Sequence, residues 1–216
     1  MESSASEMAM LAAGGLAAGV INTMAGGGSL LTVPLIVMLG LPGTVANGTN
    51  RVAVLVQSVV ASWRFGAEGV PGLQAALPVT VPLVAGATVG ALGVSMLPDE
   101  IFERLFGVVM LVLLVPALRA PSARRTAGAL SPAMAWVVFF AIGLYGGAVQ
   151  AGVGIVLVLA LSRAGHDLVL SNSIKVVVVA LFTVVAVAIF VYQGQVRWAP
   201  AAVISASMAA GAVIGA

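Results

Sequence analysis

The stretch Ile21-Asn22-Thr23-Met24-Ala25-Gly26-Gly27-Gly28-Ser29 decides the fold, because it lies in the middle of an apolar run from Met8 to Gly40. A straight helix over that run would be roughly 50 Å long, whereas a hydrocarbon core is about 30 Å thick. The run therefore breaks, and the three consecutive glycines mark the place. Non-helical backbone at membrane depth survives only where protein or a water-filled cavity satisfies its polar groups. The next apolar run opens with Ala46-Asn47-Gly48-Thr49-Asn50-Arg51, small polar residues and a cation. A broken segment and a charged helix start, both at membrane depth, are the ingredients of a binding site for a small polar solute.

The 216-residue chain is 61% hydrophobic and 7% charged, with a mean hydropathy of +1.18. A soluble domain carries about 25% charged residues. With continuous rather than alternating apolar runs, these values specify an all-α polytopic membrane protein and exclude a transmembrane barrel. Absence of cysteine removes disulfides, thiolate chemistry and Cys-ligated metals, and no cofactor is expected. A net charge of +2 gives no basis for a nucleic-acid partner. The expected environment is the lipid bilayer, as a multi-pass protein of the cell inner membrane, and a homo-oligomer is allowed. Residues Met1 to Met8 carry Glu2 and Glu7 but no basic residue, unlike a cleaved signal peptide, so the first apolar run is expected to remain as structure.

Apolar runs fall at about 8–40, 45–63, 71–97, 101–118, 132–162, 169–192 and 199–216. Two of them, 8–40 and 132–162, are too long for one span, and both hold a glycine cluster. The halves resemble one another. Gly15-Leu16-Ala17-Ala18-Gly19 falls against Gly143-Leu144-Tyr145-Gly146-Gly147, Asn22 against Gln150, and the triple glycine against Gly152-Val153-Gly154. Asn47-Gly48-Thr49-Asn50-Arg51 falls against Ser171-Asn172-Ser173-Ile174-Lys175. Repeat one is residues 1–120, the broken run 8–40 plus three spans. Repeat two is expected over residues 131–216, the broken run 132–162 plus two spans, and its last span is expected to be missing. Interrupted segments at matching positions of two repeats are a property of transporters.

If each broken run crosses the membrane, the repeats are parallel; if each is a re-entrant hairpin, they are inverted. The basic loop with Arg119, Arg124 and Arg125 belongs in the cytoplasm, and Arg64 with it, in both cases. Arms of about 15 residues would reach the midplane, and the acidic N-terminus belongs outside, so the inverted arrangement is expected. Small residues four apart, at Gly15/Gly19, Gly86/Gly90, Gly143/Gly147 and Ser207/Gly211/Gly215, predict close helix packing in lipid.

Arg51 and Lys175 each stand near the start of an otherwise apolar helix. A helix N-terminus favours anions, so a cation there works against the dipole unless an anion lies between the two; the alternative is a cation snorkelling to the interface. Asn47, Asn50 and Gln57 share one helix face, either a pore wall or a row of interhelical hydrogen bonds. The amides of Gly26, Gly27 and Gly28 could form an anion-cradling nest, with hydroxyls from Ser29 and Thr32 and the amide of Asn22, or be a bare structural break. Gln150, Gly152, Gly154, Asn172 and Ser173 stand at the corresponding places in the second half. The acids Glu2, Glu7, Glu68, Asp99, Glu100, Glu103 and Asp167 map to loops or span ends, so neither a carboxylate proton relay nor an Asp-built sodium site is expected. An inside-negative potential supplies about 2.3 kcal/mol per charge per 100 mV for an anion leaving the cell.

Enzyme chemistry is not expected. The single histidine, His166, sits beside Asp167 as a surface residue, there is no HExxH motif, and nothing orients it toward Ser29. Scattered methionines argue against a metal permease. Trp63, Trp136 and Trp198 lie at run ends, as interfacial anchors do. The remaining alternative is a membrane scaffold or assembly subunit that transports nothing.

The pattern Gly19-x-x-Asn22-Thr23-x-Ala25-Gly26-Gly27-Gly28-Ser29-Leu30-Leu31-Thr32-x-Pro34, with Leu39-Gly40-Leu41-Pro42 and Ala46-Asn47-Gly48-Thr49-Asn50-Arg51, resembles the sulfite exporter (TauE/SafE) family. The resemblance implies a duplicated helical carrier that exports sulfite or an organosulfonate through a midplane site between the repeats.

Overall fold

The structure is a computed structural model that describes residues 5–118 and 131–216; the expected basic loop with Arg119, Arg124 and Arg125 lies outside the described residues. The described residues are all-helical, without a strand. In chain order the helices are α1 (Ala5–Met24), α2 (Ser29–Met38), α3 (Gly43–Ala67), α4 (Gly72–Ser95), α5 (Asp99–Leu118), α6 (Pro132–Ala148), α7 (Val153–Arg163), α8 (Leu168–Tyr192) and α9 (Trp198–Gly215). Of these, α1, α4, α8 and α9 are long and apolar enough to cross a membrane. Their outward faces carry large apolar side chains such as Leu77 and Val81 on α4 and Val184 on α8, the surface that lipid solvates.

Both long runs break where the glycines stand. Between α1 and α2 the chain reverses: Gly14 faces Leu35, and Gly28 lies against the Ala18 carbonyl and the Asn22 side chain. The turn passes through Gly26 at φ +85°, a backbone region open to glycine at little cost. Between α6 and α7 it passes through Gln150 at φ 65° and Gly152 at φ 70°. The arms are unequal, 20 and 10 residues in the first hairpin and 17 and 11 in the second, rather than the expected matched arms. The long arms are packed along their length by α9 and α4, whereas each return arm need only reach from the buried tip to the start of the next helix.

The small-residue pairs set the packing. Gly15 and Gly19 of α1 meet Ser207 and Met208 of α9, while Gly211 of α9 meets Leu16 and Val20, so α1 and α9 run in the same direction. Gly86 and Gly90 of α4 meet Phe140 and Leu144 of α6, while Gly143 and Gly147 meet Leu83 and Ala87, so α4 and α6 also run together. A Cβ would collide with the Ser207 side chain at Gly15 and with the facing backbone at the others, so these glycines admit a helix separation that larger residues would prevent. At the centre α3 and α8 cross the bundle in opposite directions. Phe190 lies against Gly48, whereas Val176 clusters with Ala61 and Phe65. Asp99 fixes the start of α5 beside that of α3, accepting hydrogen bonds from the Thr44 amide (3.0 Å) and hydroxyl.

These directions put Gly40 and Gly194 at one end of the bundle and Gly69 and Gly165 at the other, all four with open space around them. Because the chain has no cysteine, single cysteines report without background. Gly40→Cys and Gly194→Cys are expected to react with a membrane-impermeant maleimide from one side of the membrane, Gly69→Cys and Gly165→Cys only from the other. Labelling of Gly40→Cys and Gly69→Cys from the same side would contradict this fold.

Candidate functional site

The two hairpin tips meet inside the bundle, Gly26 against Gly154. A Cβ on either glycine would run into the backbone of the other. The contact is thus main chain on main chain, at the two positions the glycine clusters mark.

Around this contact each half supplies a cation to the other. Lys175 of α8 donates through Nζ to the carbonyls of Asn22 and Thr23, both at 2.8 Å, and to Asn172 Oδ1 at 2.8 Å. Arg51 of α3 donates to the carbonyls of Gly146 (3.0 Å) and Gly147 and to Gln150 Oε1 (2.6 Å), and its guanidinium lies 4.9 Å from the centre of the Phe190 ring. The acceptors are the last carbonyls of α1 and α6, which lack intrahelical partners and carry the negative end of the helix dipole. Each cation is badly placed on its own helix and well placed at the end of the opposite hairpin. The conflict that pointed to a bound anion is first resolved by the protein itself.

The polar face of α3 is spent on fastening the hairpins rather than lining a pore. Asn22 Nδ2 donates to Gln57 Oε1 at 2.5 Å, and Gln57 Nε2 donates to Thr23 Oγ1 at 2.9 Å. Asn50 Nδ2 donates to Ser29 Oγ at 3.0 Å, and the Thr32 hydroxyl donates to Asn50 Oδ1. Asn47 Nδ2 reaches the Ala148 carbonyl at 3.0 Å. Two nest amides are also bonded internally, Gly26 to the Ile21 carbonyl and Gly28 to Asn22 Oδ1; Gly27 is buried between them.

Beside the tip contact lies a small cleft whose polar lining is Asn22, Ser29, Ser58, Gln150 and Lys175, with Gly154 at its edge. It is at the lower limit for holding one water, so the site is closed. Arg51 does not line it. Three expected site residues stand elsewhere. Thr49 accepts the Arg197 amide at the end of the bundle. Ser173 is packed against Gly72, on the face of α8 opposite Lys175. Gly152 shapes the turn ahead of α7. Asn172 reaches the cluster only through Lys175. Ser58, Phe190 and Tyr145, whose hydroxyl donates to the Ala151 carbonyl, were not singled out by sequence reasoning. Ser58 had a faint signal, a hydroxyl next to Gln57 in an apolar stretch; Phe190 had none.

The sulfite exporter TauE/SafE family model matches residues 11–216. The chain belongs to that family. A probable membrane transporter protein, ORF9, of a Sinorhizobium species is 28% identical over 106 residues, which cover 49% of this chain and 41% of that protein. This match therefore spans under half the length of that curated relative. A probable membrane transporter protein of Haemophilus influenzae is 26% identical over 215 residues, 97% of this chain and 84% of the relative. No solved structure matches the chain. In this TauE/SafE protein the residues of the recognised pattern are those of the first hairpin tip and of the α3 start that holds it.

Gly26→Ala, which adds both a backbone penalty and a main-chain collision, is expected to cost about 2–5 kcal/mol of stability in detergent unfolding. Gly40→Ala, at φ +80° but in open space, is expected to cost only about 1–2 kcal/mol. Equal losses would mean that the tips do not meet.

Proposed function

We propose that the protein exports a small oxyanion, sulfite or an organosulfonate, from the cytoplasm across the inner membrane, through a site between two inverted repeats. The observation that carries this reading is the meeting of the two hairpin tips at Gly26 and Gly154 with the ammonium of Lys175 beside them. The repeats are residues 1–120 and 131–216. In support, exchanging α1, α2, α3 and α4 for α6, α7, α8 and α9 carries the α1–α9 pairing into the α6–α4 pairing and the α3–α9 pairing into the α8–α4 pairing. Matched helices run in opposite directions, as α3 and α8 do. Arg64 and Arg163, with Glu68 and Asp167, stand at the bundle end that holds Gly69 and Gly165; Asp99, Glu100, Glu103, Arg104 and Arg197 belong to the other end. The expectation that Arg64 lies in the cytoplasm makes the first end the cytoplasmic one.

In this reading Lys175 is the anion ligand and Arg51 is a positioning residue that shapes the second tip. The closed site holds Lys175 on the carbonyls of Asn22 and Thr23. An entering anion competes for the ammonium and offers it a charged partner, a stronger hydrogen bond than a carbonyl gives. Loosening of the first tip then lets the halves rock around the site. The potential across the membrane drives a negative charge outward, so export needs no coupling carboxylate.

The smallness of the cleft favours a second reading, a membrane scaffold whose polar groups serve only to hold helices together. Flux of sulfite from proteoliposomes under a set potential separates the two. Wild-type protein is expected to conduct sulfite, and Lys175→Ala to reduce the flux per folded molecule more than tenfold, with a lower melting temperature because the Asn22 and Thr23 carbonyls lose their donor. Arg51→Ala is expected to reduce flux as strongly and to lower the melting temperature as well. Absence of flux for sulfite, sulfoacetate and sulfate alike would leave the scaffold reading.

A further inference from the structure

We infer that Ser58 is a ligand of the transported oxyanion, its hydroxyl donating to one oxygen of the anion while Lys175 holds another. This inference rests on the anion-transport reading and adds to it a residue that the recognised sequence pattern does not include.

Ser58 lies mid-helix in α3 and is 1% exposed, yet its hydroxyl has no hydrogen-bond partner among the described residues. Serines and threonines inside helices ordinarily bond back to a carbonyl one turn earlier. Thr23, Thr80, Thr88 and Ser207 all do so here. Ser58 does not, so its proton remains available. Burying an unpaired hydroxyl is unfavourable, and alanine would fill the same space without that penalty.

Ser162, Ser171, Thr183 and Ser205 also carry unpaired buried hydroxyls, but none of them borders the cleft. Ser58 does, together with Lys175, Asn22, Ser29 and Gln150. The other polar groups there are already engaged: Asn22 with Gln57, Ser29 with Asn50, Gln150 with Arg51, and Lys175 with two carbonyls. Ser29 and Gln150 are engaged there as acceptors, so Ser58 is, among the described residues, the polar side chain of the cleft with no hydrogen-bond partner at all. An oxyanion has only acceptors to offer, and several of them on one centre. An ammonium and a hydroxyl at two points of one small cleft match such a guest better than they match a single-centre halide.

The test uses the purified full chain with sulfite and methanesulfonate as probes, read by thermal shift and calorimetry. Both probes are expected to stabilise the wild type. In Ser58→Ala the ligand-free melting temperature is expected to stay the same or rise, while the dissociation constant for sulfite weakens about tenfold or more. Ser205→Ala, which removes an unpaired hydroxyl away from the cleft, is expected to leave sulfite affinity unchanged. Wild-type affinity in Ser58→Ala would overturn the inference with the transport reading intact. So would a fall of several degrees in its ligand-free melting temperature, the mark of a structural hydroxyl. Failure of both probes to stabilise the wild type itself would remove the transport reading, and this inference with it.

Discussion

The structure depends on one requirement: main-chain groups exposed by breaking a helix inside a bilayer have to find partners in the protein. Two breaks at depth leave two sets of carbonyls at the ends of α1 and α6. Water cannot reach them freely, and apolar side chains cannot serve them. The solution is reciprocal. Lys175 serves the end of α1, and Arg51 serves the end of α6. Each cation is otherwise an uncompensated charge in an apolar bundle, and each helix end is otherwise a cluster of unpaired acceptors. The pairing resolves both at once, and it ties the halves of the chain together where their tips touch.

The backbone contact between Gly26 and Gly154 follows from the same geometry. For a lysine and an arginine to reach across, the tips must lie within a side chain's length of the opposite central helix. Only residues without a Cβ let two turns come that close. The α1–α9 and α4–α6 glycine seams work at longer range to the same end. They bring the long arms against their neighbours along whole faces and so fix the depth at which each tip stops. Three of the polar residues on α3, Asn47, Asn50 and Gln57, then clamp the arms from the middle.

Much of this was legible in the residues. Run length against bilayer thickness located both breaks, because a helix rises by a constant amount per residue and the glycines leave one place to turn. The four-residue glycine spacing announced close contacts, though not which helices would share them. The pairing of Arg51 with Lys175 was visible as a repeated pattern, but its meaning was not. Read locally, a cation at a helix start calls for an anion. What meets it here is the far end of another helix, a partner set by three-dimensional crossing and invisible to local pattern. Thr49 and Ser173 stand away from the cleft for a related reason: they sit within a few positions of Asn50 and Lys175 on the same helices, yet face elsewhere, since each step along a helix turns about 100°. Ser58 lies in a stretch where a lone hydroxyl attracts no attention.

The crossed arrangement also bears on how the molecule comes to be made. The first hairpin emerges early, with its α1 carbonyls turned toward a partner that does not yet exist. Lys175 follows Asn22 by 153 positions, so most of the polypeptide must leave the ribosome before that tip is served. Until then the hairpin is a provisional insertion, with polar main chain that lipid cannot accommodate and the translocon or a chaperone must shelter. Arrival of α8 ends that wait. Biogenesis of the membrane-embedded core is therefore completed late and from the C-terminal half, whatever order the individual helices follow in entering the bilayer.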